Sequence, residues 1–284
     1  MRQFILGTDW WSDCDDAVAL RLLARAAKQG EIRLLGIGIN ACMQYSAASL
    51  RGFLRTEGLD DIPLGLDTAA TDFSGIPSFQ ARLAATYGEG ITNADAMDAV
   101  RLYRRLLSAA EESVEILEIG FMQVITAVLE SPADDISPLT GMELVRQKVK
   151  KMWVMAGKWD ADGEKEHNFC LNARARTAAE AFCRLCPVPV TFLGWEVGFD
   201  VITGGDLTND DPLHMVLSDH GSANGRSSWD PMLALLAVTG DEAAAGYDTA
   251  TGFARVDPAD GANYFRPDPN GPHRSVIKNR DNAF

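Results

Sequence analysis

Short apolar runs alternate with longer helical stretches along most of this chain, and that alternation limits what it can fold into. FILG (4–7) reads as a buried strand, and Asp15 to Ala27 follows as a helix whose Ala17, Leu20, Leu22, Leu23 and Ala26 form an apolar face. IRLLGIGI (32–39) is the next strand, with a helix over Ala47 to Arg55. Further strands are expected at 62–66, 114–120, 152–157 and 188–194, with helices at Asp95 to Ala110, Met142 to Lys150 and Ala178 to Leu185. Strand, helix, strand order predicts an α/β fold with a mostly parallel central sheet flanked by helices. At 284 residues, 46% of them hydrophobic, the chain can bury a full core, and its length suits one domain spanning 1–284. Beyond residue 205 the pattern changes: a helix is expected over Trp229 to Val238, and Asp257 to Phe284 reads as hairpin and loop.

The formal charge of -14, with no Lys/Arg-rich run, would repel a phosphate backbone, which argues against nucleic acid and against an anionic membrane as partners. Only three consecutive apolar residues precede Gly7, too few for a signal peptide, and no later run approaches membrane-spanning length. Cys14, Cys42, Cys170, Cys183 and Cys186 are odd in number and scattered, so reduced thiols and a cytoplasmic location are expected. Cys183-x-x-Cys186 lacks a second pair to complete a zinc site.

In parallel sheets the ligand lies outside the carboxyl ends of the strands, so the residues after each strand carry the chemistry. After the first strand, Asp9, Asp13, Asp15 and Asp16 fall within eight residues. A helix N-terminus accounts for one or two acids there by capping and by its dipole, not for four. A bound cation accounts for the rest, and oxygen ligands without His or Cys select a hard ion such as calcium or magnesium. An EF-hand is excluded, since no Gly stands at the loop's sixth position and no Glu at its twelfth. A haloacid-dehalogenase-like phosphatase is excluded too, because Gly7 stands where its nucleophile would be.

Thr8-Asp9-Trp10-Trp11-Ser12-Asp13-Cys14-Asp15-Asp16 followed by Ala17-Val18-Ala19-Leu20 resembles the N-terminal signature of the inosine-uridine-preferring nucleoside hydrolases, in a variant with an extra Asp-x before the paired aspartates. GIGIN (36–40), GFMQVIT (120–126), MWVMAG (152–157), EHNFCLNARA (166–175) and SWDP (228–231) resemble later segments of that family, in the same order. The resemblance implies calcium-dependent hydrolysis of the N-glycosidic bond of a ribonucleoside, to ribose and free base, by a metal-activated water. By position, Asp9, Asp16 and Asp230 would hold Ca2+ with the main-chain carbonyl of Gln123, and Asp9 would take the proton from water. Asp15, Asn40, Glu166 and Asn168 would form the ribose pocket. The family's members are commonly dimers or tetramers, so a homo-oligomer is expected, acting on a small-molecule nucleoside or ribosyl substrate.

The chain departs from that pattern in four ways. Gly7 replaces the first Asp, Val124 replaces an Asn, Trp10-Trp11 replaces an apolar-Gly pair, and Trp229 replaces the His that serves as leaving-group acid. Trp10, Trp11 and Trp229 are candidates for an aromatic wall against the base or for narrowing the pocket; the alternative is that Trp229 packs over the first-strand loop. His167 is expected to point away from the site, His214 and His220 to lie at the surface or rim, and Glu196 is a further candidate by its place after a strand. Because of the departures, a non-catalytic or repurposed calcium-dependent binder of a ribosyl or other cis-diol ligand is the second class of function.

Overall fold

The computed structural model describes residues 1–75 and 77–282. From the N-terminus come β1 (Arg2–Thr8), α1 (Asp15–Lys28), β2 (Ile32–Ile39), α2 (Ser46–Thr56), β3 (Leu64–Leu66), α3 (Ser78–Tyr87), β4 (Met97–Asp98), α4 (Ala99–Ala109), β5 (Val114–Glu118), α5 (Gln123–Glu130), α6 (Gly141–Lys148) and β6 (Val149–Met155). Then follow β7 (Glu164–Lys165), α7 (His167–Cys170), α8 (Ala173–Leu185), β8 (Val190–Leu193), α9 (Trp195–Gly198), β9 (Ile202–Thr203), α10 (Pro212–His220), β10 (Arg226–Ser227), α11 (Trp229–Thr239), β11 (Tyr247–Val256), β12 (Ala262–Pro267) and β13 (His273–Lys278).

One 11-stranded sheet has the order β4-β3-β2-β1-β5-β6-β8-β13-β11-β12-β7. Every pairing from β4 to β13 is parallel, and β11, β12 and β7 add an antiparallel flank. The predicted α/β architecture is therefore present. Side-chain alternation along β1 explains its two covered faces: Phe4 and Leu6 join a core with Leu20 of α1, Phe53 of α2 and Leu233 of α11, while Ile5 joins Tyr103 of α4, Val128 of α5 and Phe182 of α8. The chain steps outward from β1 to β4 and returns on the other side of β1 as β5, so strand order reverses between β1 and β5. Such a reversal opens a crevice at the carboxyl ends of the strands. Among the described residues no helix is long and apolar enough to cross a membrane.

Several boundaries differ from expectation. The helix expected from Asp95 begins at Ala99, because the Asp98 side chain accepts the Arg101 amide at 2.9 Å and caps it. β6 begins at Val149, taking the end of the helix expected over Met142 to Lys150. Asn172 accepts the Ala175 amide at 2.8 Å and starts α8 one turn early. The segment after β5, expected as a loop, forms α5, and α3 and β11 were not anticipated. The end of the chain is mostly strand: β11 and β12 form the hairpin, and β13 inserts between β8 and β11. Residues 283–284 of that expectation lie outside the described residues.

Candidate active site

The strand-to-helix junction is built around Asp16. Thr8 Oγ1 donates to Asp16 Oδ1, and the Trp10 amide reaches both Thr8 Oγ1 at 3.1 Å and Asp16 Oδ1 at 3.3 Å. The Trp11 amide donates to Asp9 Oδ1 at 2.9 Å. Closing this loop puts Trp10 at φ 47° and Ser12 at φ 23°, left-handed conformations that side chains other than Gly rarely adopt. Burial of the Trp10 ring compensates: it packs on Phe53 and Phe79, and its Nε1 donates to Ser49 Oγ at 2.8 Å. Trp10 thus anchors the loop in the core, and Trp11 packs on Phe73 and Phe121; neither lines the cavity, so the three-tryptophan wall is not formed.

A cavity of about 370 Å³ lies at this end of the sheet. Its lining brings together Asp9, Asp15 and Asp16 from the first loop, Glu166 and Asn168 from the start of α7, and Trp229 and Asp230 from the start of α11. Asp15, Asp16 and Asp230 each bring one oxygen within 4.8 Å of the others, and the Asp230 amide donates to Asp15 Oδ2 at 3.1 Å. Asp9 lies outside that trio but in the same wall. Glu166 is held by the amides of Gly157 at 2.8 Å and Asn168 at 2.9 Å, and Asn168 Nδ2 donates to the Met155 carbonyl at 2.9 Å.

Burial above all, reinforced by Asp15, Asp13 and Glu166 and opposed by the Trp11 amide, pushes the Asp9 carboxyl up to about 8. Burial and mutual repulsion hold Asp15, Asp16 and Asp230 well above the usual carboxylate range. Burial raises Glu166 to about 7 despite its amide partners. Such a group either keeps protons or takes a cation. An all-oxygen, carboxylate-rich donor set fits a hard divalent ion.

Two expected residues are elsewhere. Asn40 and Gln123 do not line the cavity: the buried Asn40 side chain accepts the Phe121 amide at 3.0 Å, and Gln123, opening α5, donates from its side chain to the Asn40 carbonyl. Both support the loop after β5. Glu196 turns aside, accepting the Trp159 amide at 3.2 Å, and lines a neighbouring cavity. The Cys183 and Cys186 thiols are buried in the core, Cys186 against Met152, and burial raises both.

The cavity also contains Arg226, which the sequence did not single out, and residues for which it suggested another place. Asp13 takes Arg226 in a two-point ion pair, Nη2 at 2.6 Å and Nε at 2.9 Å, across 213 positions. Burial works against the Asp13 carboxylate, but this hydrogen-bonded arginine keeps it below its ordinary range. Arg226 sits 5.1 Å from the Trp229 ring centre, and Trp229 stacks at 6.2 Å on Trp195 and donates from Nε1 to the Trp195 carbonyl at 2.8 Å. Trp195 was findable, since it follows β8 directly. Arg226 had no local signal. His167 faces the cavity, contrary to expectation, because its ring lies nearly parallel to Trp11, 6.0 Å away. His220 is in the wall as well.

No protein-family model matches the sequence, and a comparison with curated proteins finds no match. Solved structures do match. An inosine-uridine preferring nucleoside hydrolase from Bacillus anthracis superimposes with a TM-score of 0.69 at 14% identity, over 99% of this chain and 95% of that one. A purine-preferring ribonucleoside hydrolase from Gardnerella vaginalis gives 0.71 at 17% identity, over 97% and 93%. This chain has the nucleoside hydrolase fold. A third solved structure, the type III effector protein XopQ complexed with adenosine diphosphate ribose, gives 0.67 at 16% identity, over 97% and 88%.

Proposed function

We propose that the chain is a divergent nucleoside hydrolase that cleaves the N-glycosidic bond of a ribonucleoside with calcium bound in this cavity. The convergence of Asp9, Asp15, Asp16, Glu166, Asn168 and Asp230 on one crevice of this fold carries the reading. Asp16 and Asp230 would hold the ion with Asp9, and Asp15 and Glu166 would face the sugar. Gln123 does not line this cavity, and its side chain is engaged with the Asn40 carbonyl, so any contribution from it would come from its main-chain carbonyl. When bound, a divalent ion makes water acidic enough to lose a proton near neutral pH and anchors vicinal hydroxyls.

The chain's own residues do the rest. Asp9, whose carboxylate is fixed by the Trp11 amide, would accept the proton from water. As the C1′–N bond lengthens, positive charge grows on the sugar, and carboxylates already held in place favour it without reorganising. The main-chain donors on Glu166 and the Asn168 link to Met155 fix the sugar side of the pocket before substrate arrives.

The test is release of reducing sugar from a panel of nucleosides, with adenosine diphosphate ribose included because a similar structure holds it. Calcium-dependent release that Asp9→Ala abolishes is expected. Protein that binds calcium yet turns over no ribosyl substrate would sink the hydrolase reading in favour of a calcium-dependent binder.

A further inference from the structure

If a base leaves from this cavity, something must receive its electrons, and Trp229 stands where the family's histidine would be. Two other imidazoles line the wall. His167 packs beside Trp11, and burial disfavours its protonated form, the form from which a general acid must start. His220 differs. It ends α10, its side chain is 20% exposed, and its Nδ1 and Ser222 Oγ share a hydrogen bond of 2.9 Å. Its Nε2 lies 3.8 Å from Asp13 Oδ1, near enough for attraction and too far for a hydrogen bond, which leaves that nitrogen uncommitted.

The surroundings hold the ring there. Asp13 is fixed by Arg226, Arg226 by Trp229, and the far end of α10 by Arg21, whose Nη1 is 2.6 Å from Asp211 Oδ2. Asp13, Cys14 and His220 are close enough to suggest a metal cluster, but Arg226 already holds both Asp13 oxygens and the buried Cys14 thiol resists ionisation. The carboxylate recorded beside His220, that of Asp13, is thus already paired with the Arg226 guanidinium.

We propose that His220 is the general acid that protonates the departing base, an assignment that rests on the hydrolase reading above. The C1′–N bond breaks with its electron pair going to the base, the Nε2 proton of the imidazolium passes to a base nitrogen, and water adds to C1′ and gives a proton to Asp9. Asp9 gives its proton up to solvent and solvent restores the one on His220, so the sum is nucleoside plus water to ribose plus base. Histidine is the side chain most often used this way, and such proton transfer is worth about 10²–10⁴ in rate.

The experiment compares inosine and uridine with p-nitrophenyl riboside, whose phenolate leaves without a proton, in the wild-type chain and in His220→Gln and Ser222→Ala. His220→Gln should lose about 100-fold or more in kcat on the nucleosides and stay within about threefold on the nitrophenyl substrate. Ser222→Ala, which frees the ring, should show the same split at smaller amplitude. Calcium binding by calorimetry and the melting temperature should not move. Equal losses on both substrates, no loss on either, or a parallel fall in calcium affinity would each overturn the assignment. A wild-type chain that cleaves nucleosides while the split is absent removes His220 alone; one that cleaves neither substrate class removes the hydrolase reading and this proposal with it.

Discussion

A side chain at position 7 would run into the carboxyl group of Glu118, which fills the space above Gly7 on the neighbouring strand. Position 7 is where the resemblance calls for an aspartate, and in this chain the carboxyl group in that space belongs to Glu118 on β5. Glu118 is fully buried, and Tyr103 donates to its Oε1 at 2.9 Å. Gly7→Asp should therefore destabilise by about 1–3 kcal/mol through overpacking, and Glu118→Ala in the same chain should recover part of it. Urea denaturation of the two single variants and the double variant measures this; a Gly7→Asp protein as stable as wild type refutes the overpacking. Burial also pushes Glu118 up to about 8 from 4.5, against the Tyr103 hydrogen bond. The native state then holds that proton more tightly than the unfolded chain, so the advantage is complete below about 4.5 and is lost as pH rises towards 8. Within that window the group tilts the stability profile by up to roughly 1.4 kcal/mol for each step of one in pH, and Glu118→Gln should remove that tilt. A profile unchanged by the substitution would show that Glu118 does not cause the slope. At this scale Asp9, Asp15, Asp16, Glu166, Asn168 and Asp230 were legible because short motifs carry them. Glu118 was not, since its role depends on the empty place across the strand.

Among elements, legibility followed the strength of the local signal. The buried strands β1, β2 and β5 and the amphipathic helix α1 were read from the sequence because continuous apolar runs and a 3.6-residue period leave little choice. β11 was missed because its burial is irregular, with exposed residues at both 248 and 249. α5 was hidden by an expectation of a loop. β13 shows how far a partner can decide an element: His273, at its start, is buried and accepts the Ala254 amide of β11 on Nδ1 at 2.9 Å. Burial lowers His273 from 6.5 to about 4, so the folded protein keeps it neutral where the unfolded chain takes a proton. Stability should fall as pH drops from about 6.5 towards 4, with amides of β11 and β13 losing protection relative to their intrinsic exchange rates. Hydrogen exchange at pH 7 and pH 4.5, compared with His273→Phe, tests it; equal acid sensitivity in the variant would clear His273.

For the molecule as a whole, six acids, Asp9, Asp13, Asp15, Asp16, Glu166 and Asp230, line one crevice, and a cation there should stabilise the fold. Calcium at about 100 times its dissociation constant should add about 2.7 kcal/mol, seen as a melting temperature several degrees above that in chelator. Superimposed melts would mean that the acids hold protons instead. The general architecture was legible from strand and helix order alone. The pairing of Asp13 with Arg226 was not, because two residues 213 positions apart meet only once the sheet has set their places. The insertion of β13 between β8 and β11 bears on how the chain is made. A nascent chain that has emerged only as far as Pro267 has β8 with an open edge, and a β11–β12 hairpin with no place in the parallel sheet to dock. An open edge is a template for another chain, so the incomplete sheet is exposed to mispairing until β13 closes the gap.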